Sequence, residues 1–339
     1  MGVKRLVKVV DVAIAAGVSS ATISRAFNSP EKLRPEVYNR VMEAVDKLGY
    51  TLDNSARALR SRRTRICGAI IPTLNHAIYA YATNALEERL GEEGYTLLLA
   101  TSEYELNREY IQAKMLIERG AEALVLVGGV HDPRLYHLLQ VRDVPYINTY
   151  VFNPKSVHPC VGFDNYRASA KIIKYLVGLG HKEFGIISGI MKNNDRVQER
   201  LRGINSTLNE NGLFLKENCY VEKPYSLKGG YEAMRILNEV GSNPTAVVCF
   251  SDILAIGAMT YCNDNDLNVP NHVSIVGFDN LPYSLYYRPA LTTLEIPSKE
   301  MGHLSAEFLI NELNGRSPKE FQELEAKLIV RSSTTKNQK

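Results

Sequence analysis

From residue 66 onward the chain repeats one pattern: an apolar run of strand length, an amphipathic stretch of helical spacing, then another run. A first series of runs lies at residues 66–71, 96–99, 124–127 and 146–148, with helical stretches at 78–90 and 110–119 between them. A second series lies at 160–163, 184–188, 246–249 and 274–277, with helices near 167–179, 196–211, 230–239 and 252–263. Strands that alternate with helices pair in parallel, because each connection is long enough to cross over the sheet. Two such series predict two doubly wound parallel-sheet subdomains in one α/β body, residues 65–339. A helix over 299–314 and a strand over 327–330 cross back between them, so each subdomain is assembled from two stretches of chain. These are about 65–160 with 295–322, and about 161–292 with 323–335.

The first fifty residues read differently. Val9, Val12, Ala13 and Ala16 recur at i, i+3, i+4 and i+7, one face of a short helix. Gly17 stops it, since glycine takes a positive φ without a Cβ clash. Ser19 fits the N-cap of a second helix, with Ile23, Ala26 and Phe27 facing inward. Ser20, Ala21, Thr22, Ser24 and Arg25 are then left outside. A third helix opens at Pro35, buries Val37, Val41, Ala44, Val45 and Leu48, and ends at Gly49. Three short helices with a tight glycine turn between the first two predict a helix-turn-helix unit over 1–52.

Charge separates the same two regions. Residues 1–65 carry 13 Lys+Arg against 6 Asp+Glu, net +7, while the rest of the chain is net −4. A basic head on a mildly acidic body suggests that only the head meets a polyanion. The segment 53–64 includes Ala56 and Leu59 on one helical face, then Arg60, Arg62 and Arg63. It is too short and weakly apolar to hold a helix alone, and reads either as a linker or as a segment that folds when docked on DNA.

Five scattered cysteines, with no C-x-x-C pair, argue for reduced thiols and against a zinc site. No apolar run reaches about 18 residues, so no membrane span is expected. Lys4, Arg5 and the apolar stretch 12–18 imitate a secretory signal, but Lys8 and Asp11 interrupt it. Glycine-rich nucleotide loops, a G-x-S-x-G elbow and an H-E-x-x-H pair are all missing, so neither a cofactor nor a catalytic residue is expected. The seven histidines are isolated and read as surface or packing residues.

Ligands of open α/β sheets bind beyond the carboxyl ends of the strands, so the polar residues there are the informative ones. They include Asn75, Asp164, Arg196, Arg200, Ser251, Asp252 and Asp279, with Tyr79 and Tyr225 adding aromatic surface. Carboxylates, amides and guanidinium groups beside aromatic faces suit a polyhydroxylated ligand. Asp164 and Asp252 serve equally well as helix N-caps. Arg200 and Asp279 are harder to explain that way.

Several motifs together carry a resemblance. In the head they are Asp11-Val-Ala, Ala16-Gly-Val-Ser, Thr22-Ile-Ser-Arg-Ala-Phe-Asn28, Ala44-Val-Asp-Lys-Leu-Gly-Tyr50 and Ala56-Arg with Leu59-Arg. In the body they are Val161-Gly-Phe-Asp-Asn165, Gly180-His, Pro244-Thr-Ala-Val, Val276-Gly-Phe-Asp-Asn280 and Leu291-Thr-Thr-Leu294. Over nearly its whole length the chain resembles the lactose-repressor family of bacterial transcription factors. The resemblance implies a body like that of periplasmic binding proteins. It also implies that Ser20, Ala21, Thr22, Ser24, Arg25 and Asn28 face DNA, and that Ala56 and Leu59 form a hinge helix whose leucine wedges into the minor groove. Arg200 and Asp279 take the positions of the main effector-binding pair, and Asn75, Tyr79, Asp164, Tyr225, Ser251 and Asp252 those of the cleft lining. Arg196 adds a second positive charge, which favours a sugar acid or related anion.

Lys8 and Arg34 stand where the family carries a capping hydroxyl, Leu52-Asp53 replaces Pro-Asn, and Tyr150 replaces an Asp common among sugar binders. The expectation is a cytoplasmic homodimer that binds a palindromic double-stranded operator under control of a small-molecule effector, with no membrane partner. Its rivals are a solute-binding protein of a transport system, which the basic head disfavours, and an α/β enzyme.

Overall fold

A computed structural model describes residues 7–51, 63–239, 241 and 243–337. The chain divides into two compact units, Met1–Thr64 and Arg65–Lys339.

Among the described residues the first unit holds three α-helices, α1 (Val9–Ala16), α2 (Ser20–Asn28) and α3 (Pro35–Leu48). Their inner faces meet in a core of small side chains: Val12, Ala13, Ala16, Ile23, Ala26, Val41, Ala44 and Val45. Gly17 sits at φ +62° and turns the chain between α1 and α2, a conformation that costs a Cβ-bearing residue energy. The Ser19 hydroxyl accepts from the Thr22 N–H at 3.2 Å and caps α2. Lys8 offers no capping oxygen to the first-turn N–H groups of α1, and only the return half of a capping box forms. The Asp11 carboxylate accepts from the Lys8 N–H at 2.8 Å, the reciprocal half of a capping box. Arg34 precedes Pro35, whose missing N–H removes one orphan donor from the start of α3.

The second unit contains two six-stranded sheets. Its elements, in order, are β1 (Ile66–Ile71), α4 (Ala77–Glu92), β2 (Thr96–Thr101), α5 (Leu106–Glu118), β3 (Ala121–Val127), α6 (Pro133–Val141), β4 (Tyr146–Thr149) and β5 (Cys160–Gly162). Then follow α7 (Asn165–Gly178), β6 (Phe184–Ser188), α8 (Asp195–Glu210), β7 (Tyr220–Glu222), α9 (Leu227–Glu239), β8 (Ala246–Cys249), α10 (Asp252–Asp264) and β9 (Ser274–Asp279). The last elements are the short α11 (Tyr283–Tyr286), β10 (Thr292–Glu295), α12 (Ser298–Leu313), β11 (Phe321–Glu323) and β12 (Lys327–Ile329). The first sheet runs β11-β5-β4-β3-β1-β2 and the second β12-β10-β9-β8-β6-β7. Every pairing is parallel except β10 with β12.

One assignment needs correction. The run beginning at Cys160 closes the first sheet, pairing Thr149 with Val161, and does not open the second. Its three residues lie beside β4 in parallel after the loop 150–159, and the following α7 is the element that crosses to the second sheet. Apolar periodicity alone left β7, β10, β11 and α6 unread, because three- and four-residue strands carry too little pattern. The chain crosses between the sheets after β5, after β10 and again after β11, and residues from both contribute to one large core. Each fully buried side chain there, such as Ile147 or Leu294, contributes about 1.5–3 kcal/mol.

Among the described residues no single helix is long and apolar enough to cross a membrane, and α1 with α2 meets that test only across a 99° bend. All five cysteines are buried, free thiols. Burial pushes the Cys67 and Cys262 thiols up to about 12, and Cys249 well above its ordinary value. The reactive thiolate is therefore suppressed. Native protein is expected to leave Ellman's reagent almost unreacted, with all five thiols titrating after guanidinium unfolding. A fast-reacting thiol in the native protein would contradict this packing.

Candidate functional site

Two regions place functional side chains. In the head, Ile23 and Ala26 bury one side of α2, which turns the other side to solvent. Ser20, Ala21, Arg25 and Asn28 are exposed, and Thr22 and Ser24 half-buried. The Asn28 amide donates to the Ser24 carbonyl at 2.7 Å, tying down the last turn. The Thr22 hydroxyl lies 3.0 Å from that of Ser19 at the first. The helix thus carries an outward row of small polar side chains with one long cation, dimensions that fit a major groove. Ala56 and Leu59 lie outside the described residues.

In the body, the carboxyl ends of both sheets converge on a cleft. It is lined by Tyr79 on α4, Tyr150 after β4, Asn194, Arg196 and Arg200 at the start of α8, Tyr225 before α9 and Asp279 at the end of β9, with His76 among them. Five residues singled out in the sequence are brought together here: Tyr79, Arg196, Arg200, Tyr225 and Asp279. Arg200 is held on three sides. Its Nε donates to Asn165 at 2.9 Å, an Nη donates to the Phe250 carbonyl at 3.1 Å, and the guanidinium lies 3.6 Å above the Phe278 ring. Arg196 donates to the Val127 carbonyl at 3.1 Å and to Asp195 at 2.9 Å. Gly128 permits that approach, since a Cβ there would lie 2.1 Å from the Arg196 guanidinium.

Burial sets the electrostatics. It pulls the Arg200 guanidinium down from its ordinary value, although Tyr225 and Asp279 oppose this. It works against the charge of Arg196 too, but Tyr79 and Asp195 beside it outweigh the cost and hold that group above its usual range. Burial also raises the phenols of Tyr104, Tyr150 and Tyr225, so they stay neutral donors at physiological pH. Backbone strain gathers here as well. Asp279 sits at φ +118° and Tyr150 at φ +63°, conformations that bulky L-residues adopt only where surrounding structure enforces them.

Two cleft side chains end in buried polar atoms without a hydrogen-bond partner: His76 Nδ1 and Asn194 Oδ1. Buried polar groups are nearly always paired, so two orphans at one place are a sign of incomplete solvation that a ligand can complete.

The other candidates are engaged elsewhere. Asn75 is exposed and outside the lining. Asp164 caps α7 through the Arg167 N–H at 2.9 Å and borders a separate surface groove with Arg167 and Lys171. Ser251 caps α10. Asp252 is fully buried and accepts from the Leu281 N–H at 2.7 Å and the Thr293 hydroxyl at 2.5 Å, bracing β9 and β10. Strand ends that lead into helices need caps; Asp164 and Ser251 meet that need, whereas Asp252, equally suited to it by sequence, is not the cap of α10. Sequence reasoning missed Asn194 and His76. The second was read as a surface or packing histidine, although it follows β1 at the position where cleft residues occur.

Residues 8–53 match the family described as bacterial regulatory proteins, lacI family, and residues 173–334 match a periplasmic binding protein-like domain. The HTH-type transcriptional regulator MalR of Streptomyces coelicolor is 32% identical over 96% of both chains. Catabolite control protein A of Priestia megaterium is 28% identical over 91% of this chain and 93% of its own. The crystal structure of the lac repressor dimer bound to operator and an anti-inducer superposes with a TM-score of 0.84 and 23% identity, covering 98% of this chain and all of that one. At that identity the likeness speaks for the fold.

Proposed function

The chain belongs to the lacI family of bacterial regulatory proteins, and from that premise we propose that it is a repressor whose operator affinity is set by a sugar, sugar acid or related metabolite bound in the body cleft. The observation that carries the cleft assignment is the convergence of Arg200, Arg196 and Asp279 with the unpaired atoms of His76 and Asn194. Donors and acceptors facing one small volume can satisfy hydroxyls and a carboxylate together. The effector acts by binding one arrangement of the two subdomains better than another, since equal affinity for both shifts nothing.

In the head, Ser20, Ala21, Thr22, Ser24, Arg25 and Asn28 contact bases and phosphates. A single recognition helix reads few bases, so the protein works as a homodimer on a palindromic operator. Ala56 and Leu59 supply the minor-groove contact. The transport alternative is not favoured, since the matched relatives are transcriptional regulators.

The net +7 of the head predicts a strong salt dependence of DNA binding. Each neutralised phosphate lowers log K by about 0.9 per decade of salt, so a dimer is expected to show a slope of several units. Anisotropy titrations on a selected operator between low and physiological salt measure it. A flat response would overturn the DNA-binding role.

A further inference from the structure

His76 stands where a ligand is expected. It belongs to the first-sheet half of the body, between β1 and α4, yet its ring reaches partners of the second half. Its Nε2 lies 3.0 Å from the Asp279 carboxylate, and its ring stacks on Tyr225 at a centroid distance of 4.5 Å and an interplanar angle of 16°. The edge of the Tyr79 ring completes the enclosure at 5.5 Å and 86°. The imidazole is 95% buried.

The space left over is about 20 Å³, room for a single water. Small-molecule sites are commonly of the order of 300 Å³ or more. Other bonds also span the cleft, from Gly129 N–H to Asp195 at 2.7 Å, from Arg196 to Val127 and from Asn193 to the Tyr104 carbonyl at 3.1 Å. Each of these uses a main-chain group on the first-sheet side. The contacts of His76 differ, because they engage side chains of the cleft lining itself, Asp279 and Tyr225. A flat ring presenting an N–H to a carboxylate and a face to a phenol is itself the kind of moiety this subsite would recognise.

We propose that His76 is an internal ligand: it occupies the Asp279–Tyr225 subsite and holds the two halves together when no effector is bound, so that an effector must compete with it. The inference rests on the reading of this cleft as the effector site. It changes how that site is regulated, because effector affinity is lowered by the population of the latched form.

Free imidazole tests this without knowledge of the effector. A His76→Gly variant should gain an imidazole-shaped hole flanked by Asp279 and Tyr225. Imidazole is expected to raise its melting temperature saturably, by about 2–3 °C at ten times its dissociation constant. The wild type and the double variant His76→Gly/Asp279→Ala, which lacks the acceptor, are expected to show no saturable rise. Equal responses in all three, or none in His76→Gly, would overturn the proposal. Should His76→Gly fold poorly, the ligand-free wild type decides: ring-proton cross-relaxation between His76 and Tyr225 is expected by NMR, and its absence would overturn the latch. Failure of the effector-site reading would look different. The imidazole response would persist, while effector titrations would be insensitive to Arg200.

Discussion

An Arg25→Ala variant is expected to lose operator affinity while keeping its fold and most of its affinity for unrelated duplex. Arg25 is exposed on α2, and the packing of that helix comes from Ile23 and Ala26 on the opposite side. The substitution therefore leaves the head core intact. A side chain that bonds a base edge is worth about 1–3 kcal/mol. A two-fold dimer makes the contact twice, so the loss on a palindrome is about 2–6 kcal/mol, or roughly thirtyfold to twenty-thousandfold. A phosphate contact alone would weaken all duplexes alike. Titration of an operator selected from a random pool, beside a scrambled duplex, separates the two roles. Equal loss on both would make Arg25 a positioning residue, and no loss on either would remove it from the interface.

That the head could be read so closely reflects local chemistry. Gly17, Ser19, Pro35 and Gly49 each fix a helix end by a mechanism confined to a few residues, and the buried stripes of α1 and α3 repeat at helical spacing. The body was legible for the same reason wherever a strand exceeded three residues. What escaped depended on contacts distant along the chain. Cys160 joins the first sheet through pairings with β4 and with residues about 160 positions later in β11. The cleft shows the same division. Position after a strand end named Tyr79, Arg200 and Asp279, but could not decide which oxygens were already committed. Asp252 and Asp279 share that sequence context, yet one braces Thr293 and the other faces the cleft. His76 lies 203 residues from its partner Asp279, a separation no local pattern can register.

Arg200→Ala and Asp279→Asn are each expected to weaken effector binding tenfold or more, with different side effects on stability. If the two groups merely formed an ion pair with one another, both losses would lower the melt and leave the ligand unaffected. Their observed bonds run elsewhere: Arg200 to Asn165 and Phe250, Asp279 to His76. Each is thus positioned by its own partners. Removing the Arg200 side chain leaves the Asn165 amide oxygen and the Phe250 carbonyl without their donors, at a cost of about 1–3 kcal/mol, so that variant should also melt several degrees lower. Asp279→Asn keeps the size and an oxygen able to accept from His76, so its melt should stay near the parent's. Its effector affinity should still fall, because the amide supplies one acceptor where the carboxylate supplies two. A thermal-shift screen of sugars, sugar acids and nucleobases provides the ligand, since saturation at a hundred times the dissociation constant adds about 2.7 kcal/mol to stability. Isothermal titration of both variants with that ligand, alongside melts, gives the two readouts. Unchanged affinity in Asp279→Asn would move the ligand away from β9, and a lowered melt with unchanged affinity in Arg200→Ala would make Arg200 a brace for Asn165 and Phe250 alone.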